Sequence, residues 1–239
     1  MNSISRLIIA LEKNKNNFYS VLQVDKNADA LLQMDFSATN ANLTPELLGD
    51  VNLFSTYIQQ TLANANCKYG IGGYNEDRVL YKVHKHFNST NIDEERTIHL
   101  GIDIWADEDT AIFAPLGGMV HSFAYNNNLG DYGGTIILQH QLDTISFHTL
   151  YGHLSLKSIQ NLTVGQYINR GNAIGHLGNA MENGNWPPHL HFQIIEDMEL
   201  KEGDYPGVCT SANREKYLAN CPNPDLILTL MQYAKQITL

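Results

Sequence analysis

Cysteine is scarce in this chain, with 3 in 239 residues. Cys67, Cys209 and Cys221 cannot make a complete disulfide framework, and no close Cys–Cys spacing supports a cysteine-based zinc cluster. Cys209 and Cys221 would pair only in an oxidising compartment, so reduced thiols are expected. Positive charge is scarce as well: 15 Lys+Arg stand against 25 Asp+Glu, a formal net charge of -10. That balance argues against a nucleic-acid partner, because phosphate binding needs a basic surface. No apolar run is long enough to span a bilayer, so no membrane span is expected. The opening Met1–Lys13 carries an apolar run too short for a signal peptide, with no small-residue cleavage site after it, which makes a cytoplasmic location the default expectation. Internal repeats and low-complexity tracts are absent.

The composition that remains, 43% hydrophobic and 17% charged, is that of an ordinary globular chain with one sizeable core or one domain with an attachment. The pattern divides it into 1–67, 68–208 and 209–239. In the first part Thr44 is placed as an N-cap with Pro45 at the first helical position. Leu47, Val51, Phe54, Ile58 and Leu62 then recur at helical spacing, which predicts one amphipathic helix packed on the main domain. From about Tyr69 the pattern changes to short β-runs punctuated by glycine. Thr135–His140 and Ile145–Tyr151 read as a hairpin, and several such strands predict an antiparallel barrel or sandwich. Asn223 and Pro224 open a last predicted helix through Leu226, Leu230 and Tyr233. The fold class expected is therefore mainly β, with an antiparallel sheet core and flanking N- and C-terminal helices.

The informative local feature is His189-Leu190-His191, which follows Trp186-Pro187-Pro188 and opens a β-run. In a strand, residues two apart point to one face about 6.6 Å apart, so both imidazoles address the same space. His99 and Asp103 form a second pair. Ile98, Ile102 and Ile104 are β-branched and Gly101 interrupts the run, so a strand or turn is favoured over a helix. A straight strand would separate His99 from Asp103 by about 13 Å, so the chain must bend between them, and Gly101 is expected to permit it. If His99, Asp103 and one histidine of the His-x-His pair bind a metal, the three protein ligands leave a fourth position for water. The other histidine of the pair and His153, in Tyr151-Gly152-His153, remain to handle protons at neutral pH. A His/His/Asp set suits zinc and also iron, cobalt or manganese. A second His-x-His, His84-Lys85-His86, has no His-x-x-x-Asp partner before it and is expected to stay clear of metal. His121, His140, His148 and His176 read as structural or surface groups, with His121 and His148 the nearest candidates for a pocket wall.

Taken together, His99-Leu100-Gly101-Ile102-Asp103, Tyr151-Gly152-His153 and His189-Leu190-His191 resemble the motifs of the lysostaphin-like (LytM-type) zinc metallopeptidases, metallopeptidase family 23. Ala114-Pro115-Leu116-Gly117-Gly118-Met119-Val120 and Val164–Gly171 are similar to further segments of that family. The resemblance runs from about Arg96 to Ile195. It implies a duplicated hybrid motif (a barrel-sandwich hybrid) and one zinc ion held by His99, Asp103 and His191. It also implies His153 and His189 as catalytic histidines and hydrolysis of glycyl bonds in peptidoglycan-type peptides. In some members an upstream asparagine fills the fourth zinc position and keeps the enzyme latent; Asn75 is placed to be tested for that role, with a plain turn as the simpler expectation. Trp186 and Tyr132 are candidates for a substrate groove or for covering the core edge.

The function expected is that of a zinc-dependent metalloendopeptidase, with a peptide or peptidoglycan-type substrate and, for a cell-wall substrate, a periplasmic or exported location. The alternative is a binding or regulatory module that keeps the fold without turnover. A phosphocarrier domain also pairs histidines on a hybrid-motif fold, but it has no use for His99 and Asp103 as metal ligands.

Overall fold

The computed structural model describes residues 5–25, 30–83 and 95–236. His84 and His86 lie outside the described residues. Six α-helices are present among those residues: α1 (Arg6–Asn14), α2 (Pro45–Gly49), α3 (Val51–Asn64), α4 (Leu156–Ile159), α5 (Arg214–Asn220) and α6 (Asp225–Leu228). The strands are β1 (Leu31–Gln33), β2 (Tyr69–Gly72), β3 (Arg96–His99), β4 (Ile102–Trp105), β5 (Ala111–Phe113), β6 (Gly118–Asn126) and β7 (Gly133–Leu142). They continue with β8 (Ile145–Leu154), β9 (Tyr167–Ile168), β10 (Ala173–His176), β11 (His189–Ile195), β12 (Val208–Thr210) and β13 (Ala234–Lys235). No helix among the described residues is long and apolar enough to cross a membrane.

A nine-stranded sheet in the order β13-β1-β2-β4-β11-β8-β7-β6-β9 dominates the molecule. Its pairings are antiparallel from β2 to β9, as the alternating sequence pattern predicts. The edge departs from that pattern, because β1 runs parallel to both β2 and β13. Residues near both ends of the chain thus extend the central sheet. The predicted hairpin is β7–β8, with the strands running on to Leu142 and Ile145 around a turn at Asp143, whose φ is 54°.

Burial of β11 on both faces decides where the site can lie. Leu190, Phe192 and Ile194 point to one face and join Ile102, Ile104 and Tyr151 in the main apolar core. His189, His191 and Gln193 point to the other face and are also buried. This second face is covered in part by the N-terminal residues: Leu32, Met34, Phe36, Leu48, Phe54 and Ile58 pack in one cluster with Trp105 and Trp186. Phe54 from that cover, with Tyr132 and Tyr205 to Val208, walls the histidine face into a cleft.

Thr44 caps α2 through its side chain, with Pro45 at the helix start, as expected. The single helix predicted from Leu47 to Leu62 is instead broken in two at Asp50. The Asp50 backbone is extended there, and its carboxylate accepts from the backbone N–H of Asn52 (2.8 Å) and Leu53 (3.2 Å), starting a new helix. In the first piece Leu48, not Leu47, becomes the buried residue. The last predicted helix is also shorter, because Thr229 takes a left-handed backbone (φ 50°) and ends α6. The described cysteines are free and buried.

Candidate metal and catalytic site

The register of β4 against β11 sets Asp103 opposite His191 and Trp105 opposite His189. Residues directly opposite on one face are near neighbours, so this register places a carboxylate on one imidazole and an indole on the other. Trp105 and His189 lie nearly parallel, with ring centroids 5.6 Å apart and an interplanar angle of 18°. His191 Nδ1 lies 3.1 Å from Asp103 Oδ1.

His99 reaches the same point by a turn through Leu100 and Gly101. Its Nε2 stands 3.3 Å from Asp103 Oδ1 and 3.0 Å from His191 Nδ1. The bend is present, but the expected reason for Gly101 needs correction, since this glycine is not among those with positive φ. What it supplies is space: a Cβ there would stand 2.5 Å from His191 Cε1 and 2.9 Å from the Phe192 carbonyl oxygen.

The hydrogen bonds on the outer side of each ring decide where the protons sit. His99 Nδ1 faces the Gly73 carbonyl at 3.1 Å, which can only accept, so Nδ1 carries the hydrogen and Nε2 is bare. His191 Nε2 faces Gln193 Oε1 at 2.9 Å. The Gln193 amide is oriented by its own donation to the Pro206 carbonyl at 3.2 Å, so its oxygen is the atom turned to His191. His191 Nδ1 is therefore bare as well. Two bare nitrogens and one carboxylate oxygen converge with no hydrogen between them. Their ligand atoms all lie within 4.8 Å of one another. Tetrahedral zinc with bonds of 2.0–2.1 Å separates its ligand atoms by about 3.3 Å. The observed spacing and the bare lone pairs fit a divalent cation, and the outer partners are of the kind that orient metal-binding histidines.

His153 and His189 are held in the same way. His153 Nδ1 donates to the Asn183 carbonyl at 2.8 Å and His189 Nδ1 donates to the Pro187 carbonyl at 2.7 Å. Both Nε2 atoms are left bare, and the rings lie 4.1 Å apart between centroids. His189 Nε2 is 4.0 Å from Asp103 Oδ1. His153 takes a left-handed backbone, φ 62°, a conformation that costs a non-glycine residue on the order of 1–3 kcal/mol. Backbone bonds on both sides impose it: its N–H donates to the Tyr132 carbonyl at 2.7 Å and its carbonyl accepts from Gly178 at 2.9 Å.

Burial dominates the electrostatics. It pushes His99 down to about 3, with the nearby Arg78 adding to the effect. Burial, then the neighbouring His189, holds His153 well below the ordinary imidazole range, and burial lowers His189 too. Burial alone would raise Asp103, but the buried Arg78 guanidinium that donates to it outweighs that and holds its carboxyl well below the ordinary range. At neutral pH His99, His153 and His189 are thus neutral imidazoles beside an ionised Asp103.

A cleft of about 120 Å³ opens over these groups, lined by Asp103, His153, His189 and His191 together with Phe54, Leu80, Tyr81, Trp105, Tyr132 and Trp186. Trp186 and Tyr132 do line it. His121 and His148 do not; they pack on each other with centroids 4.9 Å apart. His140 bonds the Gly117 carbonyl and Thr149 Oγ1, and His176 is exposed. Asn75 is a turn residue, the simpler of its two expected roles. Its Oδ1 accepts from Arg214 Nε at 2.7 Å, and its N–H donates to the His99 carbonyl at 2.8 Å. A side chain from this upstream segment that does reach the site is Arg78, whose Nη1 donates to Asp103 Oδ2. Nothing in the spacing around Arg78 signalled this contact. Gln193 could have been found, because it continues the His189–His191 alternation onto the same face.

Residues 97–202 match the model of peptidase family M23. No curated protein matches the chain. Among solved structures, the catalytic domain of the antimicrobial peptidase lysostaphin from Staphylococcus simulans is 23% identical over 66% of this chain and 96% of that one, with a TM-score of 0.39. A zinc-containing peptidase from Vibrio cholerae is 22% identical over 45% of this chain, with a TM-score of 0.34, and only 30% of that longer protein is spanned. The catalytic domain of a prophage-encoded M23 protein from Enterococcus faecalis is 20% identical over 46% of this chain and 79% of that one, with a TM-score of 0.35.

Proposed function

We propose that this chain is a zinc-dependent metalloendopeptidase, with His99, Asp103 and His191 as metal ligands and His153 and His189 as the catalytic histidines. One observation carries the reading. Two histidine nitrogens and one carboxylate oxygen converge at 3.0–3.3 Å, and two further imidazoles beside them turn Nε2 to the same cleft, all four rings taken in the tautomers that their outer hydrogen bonds assign. A divalent cation bound there supplies Lewis acidity, polarising a peptide carbonyl and acidifying a water at neutral pH.

The chain's own residues do the rest. His153 and His189 are neutral bases at pH 7, each with its Nδ1–H tied to a backbone carbonyl so that only Nε2 can accept a proton. One takes the proton of the attacking water. Once protonated, an imidazole can donate to the developing oxyanion or pass its proton to the leaving amine, so that peptide and water end as carboxylic acid and amine. Trp105 packed on His189 fixes that ring, and the strained His153 backbone fixes the other. The closeness of aromatic side chains to both histidines favours a substrate with little bulk at the scissile residue, consistent with glycine-containing or peptidoglycan-type peptides. The test is amine release from oligoglycine peptides and from purified peptidoglycan by the zinc-loaded protein. His153→Ala should bind zinc and lose at least about 100-fold in rate. Equal turnover by that variant would remove His153 from the chemistry.

A further inference from the structure

We infer that Arg78 is a positioning residue that restricts Asp103 to one coordinating oxygen, and that Glu76 balances its charge so that the site still attracts a cation. The inference rests on the metal-site reading above and assigns a task to residues outside the matched segment 97–202.

Arg78 is among the largest fully buried side chains, 1% exposed. Its guanidinium is fixed on every side. Nη1 donates to Asp103 Oδ2, Nε to Glu76 Oε2 at 2.7 Å and Nη2 to the Gly72 carbonyl at 3.2 Å. The plane also lies against the rings of Phe36 and Trp105, 5.5 and 5.8 Å from their centroids. Glu76 is anchored in turn, since its Oε1 accepts from the Phe36 N–H at 3.1 Å.

The consequence falls on the carboxylate. Asp103 Oδ1 is the atom turned to His99 and His191, at 3.3 and 3.1 Å. A carboxylate with both oxygens available can hold a cation through one or through both. With Oδ2 occupied by a buried guanidinium, only Oδ1 is left, so a coordination position that Asp103 could otherwise fill stays available to solvent or substrate. An uncompensated arginine at this distance would also repel a dication. Glu76, pairing with the same guanidinium, offsets that repulsion and leaves the Asp103 charge for the metal.

The test reads cobalt(II)-substituted protein by visible absorption, alongside zinc affinity by chelator competition, for the full chain and for Arg78→Met, Arg78→Lys and Glu76→Gln. Thermal melting of each metal-free variant establishes folding. In Arg78→Met, Asp103 is expected to chelate, giving the weaker absorption of a higher-coordinate cobalt ion; Arg78→Lys should return the spectrum toward wild type. Glu76→Gln should keep the wild-type spectrum and weaken zinc binding by roughly tenfold. An unchanged spectrum in folded Arg78→Met overturns the inference. Where that variant does not fold, unchanged zinc affinity in Glu76→Gln overturns it instead. Absence of cobalt and zinc binding in the wild type would be a different result, since it removes the metal-site reading itself.

Discussion

Gln193 lies two residues beyond His191 on the same face of β11, and its Oε1 stands 2.9 Å from His191 Nε2. The contact fixes which ring nitrogen of His191 is bare, and so which one can face Asp103 and His99. Gln193→Leu removes the acceptor while keeping the approximate volume. Zinc affinity is expected to fall by roughly 10–100-fold, measured by competition with a chelator, whereas Gln193→Glu, which keeps an acceptor, should stay near wild type. Equal affinities in all three proteins would show that the tautomer of His191 is set elsewhere.

Gly101→Ala tests the spatial reason for glycine between His99 and Asp103. The added methyl would meet His191 Cε1 at 2.5 Å and backbone at Phe192 O at 2.9 Å, and the backbone contact cannot yield cheaply. A loss of about 1–3 kcal/mol in stability is expected, together with weaker zinc binding, because the imidazole must leave its place. Urea melts of the metal-free protein and zinc titration check the two effects separately. A variant as stable as wild type with full zinc affinity would contradict the packing described.

Stability of the metal-free protein should fall as the pH is lowered from neutrality. His99 is pushed down to about 3 in the folded chain from an ordinary value of 6.5, and His153 and His189 are lowered as well. Below 6.5 the unfolded chain takes up protons that the folded site refuses, so stability is full above that pH and is lost as the pH falls toward the folded values. His99 alone accounts for about 2 kcal/mol between pH 7 and pH 5. Asp103, also held low, adds a further loss beginning near its ordinary 3.8. A melting temperature that is flat from pH 7 to pH 4 in chelator would contradict this.

Much of the site is written in local spacing. The strand period of two makes His189-Leu190-His191 legible as a pair on one face, and the structure puts both rings there. The need for a bend between His99 and Asp103 is also legible, although its glycine serves the neighbouring imidazole and not a left-handed backbone. Helix starts with a side-chain cap and proline, as at Thr44–Pro45, are readable for the same local reason. The break at Asp50 is not, because apolar residues keep helical spacing across it while the carboxylate caps a new helix. Arg78 escapes a reading by pattern, since its partner Asp103 lies on a strand elsewhere in the chain and backbone contacts of its segment with Ser37 and with β3 bring it there. The left-handed backbone of His153 is likewise imposed by distant carbonyl and amide groups, with no sign of it in the sequence.

Metal content measured on the full chain beside His191→Ala tests the central claim most directly. The account predicts one zinc per wild-type chain after reconstitution and dialysis, and none retained by the variant, with both proteins folded by circular dichroism. A wild-type chain that binds no zinc, or a variant that keeps it, would contradict the assignment of His99, Asp103 and His191 as the metal site.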